Sequence, residues 1–352
     1  TAVGFSAGAA VTTGIRNTLI GSNAGDAITD ADNNVAVGTD ALGTNVLGSA
    51  NIAVGRLALG TLNPATATNM YNTAVGADAG YAMTTGIQNT VIGGLAGDAL
   101  TVGSYNIAIG YNAGAAVTTG TNNTLLGVFA GDGITSGGDN IAIGQHALSA
   151  ETTGKRTTAI GFEALKNQNV GAAGITNSYS TVIGYQAGLA ITEGIVNTLI
   201  GARAGDAMTT GNNNTCLGYQ TLSTNVDGDS NIAIGNYALQ DFEADTNGHG
   251  NNVAVGYTAM MECSTGTENT AIGGEAMGTG ITTGDKNVSI GYRSGHDLTS
   301  GIQNTFVGAE SGLQVTVGER NVAVGYGALA AALLIDRNVA VGEGALAALV
   351  GD

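Results

Sequence analysis

The side chains best suited to catalysis are few in this sequence and stand at unrelated places in it. His146, His249 and His296 occupy different positions of the repeat described below, so stacked repeats cannot bring them into one site. A solvated turn is the commoner place for an isolated histidine, and we interpret all three in this way. No nucleophile, base and acid stand at spacings typical of an enzyme, so the sequence predicts neither catalysis nor a bound cofactor.

Two turns are rich in aspartate and could coordinate Ca²⁺ through carboxylate oxygens. Their aspartates are Asp30, Asp32, Asp227 and Asp229. The glycine-rich nonapeptide of calcium-binding β-rolls is missing, so we expect polar corners here and no metal site. Cys216 and Cys263 fall in repeats separated by roughly 10 Å or more, which is beyond the reach of a disulfide, and we expect two isolated thiols.

Aromatic residues form the only pattern that resembles a binding site. Eight of the 16 aromatic residues directly follow a glycine that recurs through the chain. Such a column could stack on sugars or bind another receptor surface. It could instead pack at a corner of the fold or between chains, and we favour this packing role. The tyrosines of this column are Tyr111, Tyr185, Tyr219, Tyr257, Tyr292 and Tyr326.

One repeat carries all of these residues and spans the whole sequence. A glycine ends each pentad of the NTAVG type and occurs 20 times from Gly4 to Gly342, at a spacing of 17 residues in 15 of the 19 intervals. We number the positions of each repeat from this anchor glycine, which is position 0. The longer intervals predict inserted loops at 61–71, 166–180 and 240–251. These loops either carry the binding specificity of the chain or are insertions that a surface tolerates at little cost.

The residue types before the anchor predict a β-strand. Position −1 is Val, Ile or Leu and position −3 is Thr, Val or Ile in all 20 repeats, a pattern typical of strands. Position −2 must face the opposite side. We interpret positions −3 and −1 as buried and position −2 as outward, with a second extended piece around the alanine at position +3. The larger residues of the predicted outward stripe include Val91, Leu125, Val182, Leu199 and Phe306, beside small ones such as Ala74.

A repeat of 17 residues is too short for a βαβ unit and cannot bury its own apolar face, so the repeats must stack. The sequence therefore predicts an all-β, parallel β-solenoid of about 20 coils, with one strand per pentad and one continuous array over residues 1–352. Position −4 is Asn in 17 of the 19 internal repeats, where stacked amides could form a ladder or Asn could simply favour a left-handed turn. The first eight are Asn17, Asn34, Asn51, Asn72, Asn89, Asn106, Asn123 and Asn140.

The pentads NIAIG, NTAIG and NVAVG, each followed by an alanine three residues later, resemble the head repeats of trimeric autotransporter adhesins of the YadA type. They are also similar to repeats of the NTAIGYxAL type in tail and surface fibres of phages and other viruses. The resemblance covers the whole chain and implies a left-handed β-roll that assembles as a homotrimer. The coils here are longer than those of the adhesin head, and no neck or coiled-coil heptads are present.

Charge and hydropathy narrow the partners and the function. Because 43% of the residues are hydrophobic, the chain has enough apolar surface to form a core. Its net charge of −17 would repel nucleic acid. No apolar run is long enough for membrane insertion. We expect a fragment of a longer extracellular fibre or adhesin, on a virion or cell surface, with a cell-surface glycan or protein as receptor. The alternatives are a filament without a receptor and an ice-binding solenoid. Ice binding is disfavoured because Val or Ile breaks the threonine column at position −3 in nine of the 20 repeats, as expected of a buried column.

Overall fold

Each 17-residue repeat folds into one coil whose pentad forms a short strand. The computed structural model describes residues 1–243, 250–280, 282–331, 333 and 335–348, and regular secondary structure in these ranges is β only. The predicted all-β parallel solenoid with a period of about 17 residues is therefore confirmed. The chain forms two compact units, Thr1–Tyr179 and Ser180–Asp352, and the same coil recurs in each.

In the first unit the pentad strands pair in parallel, coil upon coil, so that Leu125 lies between Ala108 and Ala142. A separate pair of strands, β4 and β6, joins the first insertion to the preceding coil. The strands are β1 Ala2–Val3, β2 Thr18–Ile20, β3 Val35–Val37, β4 Gly48–Ser49, β5 Ile52–Val54, β6 Thr68–Asn69, β7 Thr73–Val75, β8 Thr90–Ile92, β9 Ile107–Ile109, β10 Thr124–Leu126, β11 Ile141–Ile143 and β12 Thr158–Ile160.

The second unit repeats this arrangement with the same parallel register, as in the pairing of Ser289 with Phe306 and of Phe306 with Ala323. Its strands are β13 Thr181–Ile183, β14 Thr198–Ile200, β15 Thr215–Leu217, β16 Ile232–Ile234, β17 Val253–Val255, β18 Thr270–Ile272, β19 Val288–Ile290, β20 Thr305–Val307, β21 Val322–Val324 and β22 Val339–Val341.

The predicted direction of the strand side chains is wrong. Position −2 faces the core: among the residues interpreted as outward, Ala74, Val91, Leu125, Val182, Leu199 and Phe306 are all 0% exposed. Positions −3 and −1 face outward instead, and none of them is buried. A coil of 17 residues is narrow, so its interior accepts one side chain from the strand, and most coils have room there only for alanine.

The core volume of a coil is filled either from the strand or from the turn. Where position +4 is Leu or Met, position −2 of the same coil is Ala or Cys, as for Leu148 with Ala142. Where position −2 is large, position +4 is glycine: a Cβ on Gly114 or on Gly131 would lie 2.6 Å from a Leu125 methyl group. One large side chain thus fills the space of two neighbouring coils, which explains why glycines and leucines at position +4 come in pairs.

The segment around position +3 is a compact turn, so the predicted second extended piece is wrong. Positions +2 and +4 have left-handed backbone in every coil, with φ between 49° and 62°, even where the residue is Leu148 or Thr258. The N–H of Leu148 donates to Ala164 of the next coil at 3.0 Å, while the N–H of His146 donates to Val128 of the previous coil at 3.1 Å. These alternating bonds offset the cost of left-handed backbone at residues other than glycine.

Candidate functional site

The main surface feature is the outward side of the pentad strands, formed by positions −3 and −1, which we call the strand face. All of its residues are Thr, Val, Ile or Leu, and none carries a charge although the chain has 37 charged residues outside it. Ile52, Ile107, Leu126 and Ile141 are 38% to 42% exposed. Within each unit, in-register pairing places successive residues of each column about 4.8 Å apart, so the strand face is a regular, uncharged and largely apolar surface there.

The threonines at position −3 lie on the strand face, so the expectation that this column is buried is wrong. Thr124, for example, is half-buried and sits between Ile107 and Ile141 of the neighbouring coils. Burial of the column therefore no longer argues against an ice-binding surface, whereas its interruption by Val or Ile in nine of the 20 coils still does.

The tyrosines at position +1 are exposed at the corner that follows the strand, from 40% for Tyr219 to 59% for Tyr257. Two of them also pack against aromatic rings at position +2 of the next coil. Tyr111 contacts Phe129 edge to face at 5.6 Å between centroids, and Tyr219 contacts Tyr237 in the same way at 5.4 Å. The column therefore combines exposure with corner packing. Tyr185, Tyr292 and Tyr326 are exposed at equivalent corners.

Sequence reasoning missed a second group of exposed tyrosines at the opposite end of the strand. Tyr71, Tyr105 and Tyr179 occupy position −5 and are 51% to 55% exposed. Each has left-handed backbone, with φ between 52° and 62°. The signal in the sequence was their constant place immediately before the pentad.

The asparagines at position −4 are buried and form a hydrogen-bonded ladder. The side-chain oxygen of Asn106 accepts the backbone N–H of Asn123 at 3.0 Å, and its amide donates to the carbonyl of Gly120 at 2.9 Å. Each bond joins one coil to the next, and the same pattern ties Asn17 to Asn34. The other members described above each donate the backbone N–H to the side-chain oxygen of the preceding asparagine: Asn51, Asn72, Asn89 and Asn140.

The histidines are not all solvated turn residues. His296 is only 6% exposed; its Nδ1 lies 2.6 Å from Asp297 Oδ1 and 3.1 Å from Thr279 Oγ1, so the expectation of a solvated residue is wrong there. His146 is half-buried and stacks on Phe129 at 5.0 Å between ring centroids. His249 lies outside the described residues. Turn positions become enclosed because the next coil stacks on them.

The aspartate-rich turns bond to neighbouring coils. Asp30 accepts hydrogen bonds from the hydroxyls of Thr13 and Thr12, which lower the pKa of its carboxyl group, and Asp229 accepts the N–H of Asn212. In the described ranges, no three His, Cys, Asp or Glu side chains lie close enough together to hold a metal ion. Within the same ranges there is no helix that could cross a membrane.

Both cysteines are free, fully enclosed thiols, and burial raises the pKa of each to about 12. We expect neither Cys216 nor Cys263 to react with iodoacetamide at pH 8 in the folded chain and both to react in urea, because the thiolate is the reactive form. Mass spectrometry after each treatment checks this. The raised pKa means that folding favours the protonated thiol over the thiolate. As far as these thiols are concerned, the folded chain therefore keeps its full stability below the ordinary thiol pKa of 9.0 and loses stability as the pH rises from there toward 12.

Three insertions leave the regular coil, and each follows a coil with an unusual core residue. Position +7 is apolar in most coils, but Asn45, Glu151 and Asn225 precede the insertions at 61–71, 166–180 and 240–251. Each accepts the N–H of the glycine three residues later, at 2.8 to 2.9 Å. In regular coils that N–H donates to the next coil, so the polar side chain replaces a bond that the insertion removes. Residues 244–249 of the third insertion lie outside the described residues.

The first two insertions are anchored to the core. In the first, Leu62 and Met70 are buried while Asn63 and Thr66 are exposed. In the second, the buried carboxylate of Glu151 also accepts the N–H groups of Val170 at 3.1 Å and Gly171 at 3.3 Å. These contacts hold both loops in a defined conformation.

Comparison with known proteins gives no family for this chain. No family model matches it, and no curated protein matches it significantly.

Proposed function

We propose that the chain is a structural segment of an extracellular fibre, on a virion or a cell, that assembles as a homotrimer through its strand face. The observation that carries the proposal is the strand face itself. The solvated face of a sheet normally carries polar or charged side chains. The strand face, in contrast, has no charged residue at any position. Depletion of charge is the compositional signal of an interface core.

The chemistry and period of the strand face favour another copy of this chain as its partner. An acidic chain of net charge −17 repels its own copies over most of its surface, and the uncharged strand face is where that repulsion is weakest. Within each unit its side chains repeat at the strand spacing of about 4.8 Å, and the same unit of a second copy offers the same period. Exposed apolar patches of this extent usually mark such contacts.

Multi-angle light scattering tests the assembly. We expect a mass near three times the 34.5 kDa of one chain, and the mass of a single folded chain when Ile107→Asp and Ile141→Asp are combined, because two buried charges would be unpaired at the interface. Val102→Asp is the matched control, since Val102 is exposed but lies outside the strand face. A folded, monomeric wild-type chain at micromolar concentration would refute the proposal.

An ice-binding surface is the second candidate, supported by the outward threonine column. Eleven of the 20 residues at position −3 are Thr and the others are Val or Ile, so a regular, uncharged surface with spaced hydroxyl groups faces solvent in a single chain. Thermal hysteresis, the gap between melting and freezing temperatures, separates the two candidates. A monomer that shows hysteresis supports ice binding, and a trimer that shows none supports the fibre.

A further inference from the structure

The insertion at 166–180 and the preceding coils of the first unit form the two sides of an open cleft of about 350 Å³. We call this cleft the loop cleft. It is lined by Lys155, by the hydroxyl-bearing residues Ser136, Thr153 and Thr176, by the apolar Ile175, and by Gly171 and Gly174. Lys155 is half-buried, and no carboxylate of the described residues forms an ion pair with it. The cleft thus combines one cation with several neutral hydrogen-bonding groups.

The walls of the loop cleft are fixed in place. The N–H of Lys155 donates to the carbonyl of Thr176 at 3.0 Å, which ties the end of the insertion to the coil. Glu151, which is 0% exposed, holds the start of the insertion through Val170 and Gly171. Gly171 packs so closely on Thr153 that a Cβ there would overlap the threonine hydroxyl. A rigid polar site loses less entropy when it binds a ligand than a mobile loop would.

A second cation, Arg156, directly follows Lys155 in the sequence; it forms an ion pair with Asp139 at 4.0 Å and contacts an aromatic ring. Arg156 lies over the ring of Tyr179, with its Cζ 5.6 Å from the ring centroid, and its guanidinium donates to the Tyr179 hydroxyl at 2.8 Å. Tyr179 remains 55% exposed. Lys155 and Arg156 are also the largest run of basic residues in a chain with 10 basic and 27 acidic side chains.

We propose that the loop cleft binds the terminal residue of an acidic glycan, a sugar that carries one carboxylate or sulfate group. Lys155 pairs with the anionic group, and the hydroxyl-bearing residues bond to the sugar hydroxyls. The net charge of −17 repels an extended polyanion such as nucleic acid more strongly than a ligand with a single charge. Assignment of the ligand to a surface glycan rests on the proposed fibre function, whereas the ion-pair chemistry of the cleft is independent of it.

Titration of the wild-type chain with small sugars, followed by saturation-transfer NMR, tests the proposal. The probes are methyl glucuronide and a galactoside 6-sulfate, with methyl glucoside and inorganic sulfate for comparison. We expect both acidic sugars to bind saturably at millimolar concentrations and more tightly than either comparison probe. Binding should weaken as the ionic strength rises.

Two variants locate the binding. Lys155→Met should weaken binding of the acidic sugars about tenfold or more, because it removes a charge-assisted contact. Lys166→Met is the matched control: Lys166 belongs to the same insertion but pairs with Glu163 at 2.7 Å, and we expect wild-type binding. Ser136→Ala, at an exposed position where the change adds no volume, should weaken sugar binding through loss of its hydroxyl.

Three results would overturn the proposal: no saturable binding of either acidic sugar by a natively folded chain, unchanged binding in Lys155→Met, or binding of inorganic sulfate as tight as that of the sugars. Light scattering on the same samples separates this proposal from the fibre. A trimer without sugar binding refutes the loop cleft alone, and a single chain that binds the sugars refutes the trimeric fibre alone.

Discussion

Replacement of Leu125 with alanine is expected to lower the free energy of unfolding of the first unit by about 3 to 5 kcal/mol. Leu125 is 0% exposed, and its methyl groups occupy the space above both Gly114 and Gly131, so its loss leaves a cavity shared by two coils. Urea unfolding followed by circular dichroism measures the change. The matched control is Val102→Ala: Val102 is 49% exposed and lies outside the strand face, so we expect a much smaller loss whatever the assembly state.

The same cavity can be refilled from the turn, which is the sharper test of core complementarity. Gly114→Leu and Gly131→Leu should each destabilise the wild-type chain, because the new Cβ would lie 2.6 Å from Leu125. Combined with Leu125→Ala, they reproduce the arrangement of Ala142 with Leu148 in the next coil. We expect the triple variant to regain much of the lost stability, reduced by about 1 to 2 kcal/mol for each left-handed leucine. A triple variant less stable than Leu125→Ala would contradict this account of the paired coils.

Replacement of Asn106 with alanine is expected to cost about 2 to 6 kcal/mol, because it leaves two buried backbone groups without partners. These are the N–H of Asn123 and the carbonyl of Gly120, which the Asn106 amide joins across the coil boundary. Asn63→Ala is the matched control, since Asn63 is exposed and does not have the left-handed backbone that alanine would strain. We expect that control to stay within about 0.5 kcal/mol of the wild type.

Asn106→Asp separates hydrogen bonding from shape in the asparagine ladder. Aspartate keeps the shape and the acceptor oxygen but lacks the donors that Asn106 gives to Gly120 and Asn89. We therefore expect a large loss of stability that is relieved as the pH falls and the buried carboxylate is protonated. If the aspartate variant matched the wild type at neutral pH, the role of the ladder in stability would be refuted.

Much of the candidate site followed from the repeat, and the remainder depended on contacts between coils. The place of Tyr111 after the anchor glycine and of Asn106 before the strand could be predicted because every coil repeats them. The loop cleft could not be predicted, because it forms only where an insertion folds back on Lys155. The polar residue at position +7, such as Glu151, was visible in the sequence, but its meaning required the hydrogen bonds it makes.

The sequence alone determined the period, the strand and the stacking of coils, because a 17-residue repeat with alternating β-branched residues has few other ways to bury apolar surface. It did not determine which side of the strand faces the core. Alternation shows that Ala108 and Ile107 lie on opposite faces, and both faces are apolar, so hydrophobicity cannot choose between them. The tertiary structure decided the question through volume: the narrow coil admits alanine, or one larger side chain opposite glycine, and leaves the isoleucine outside.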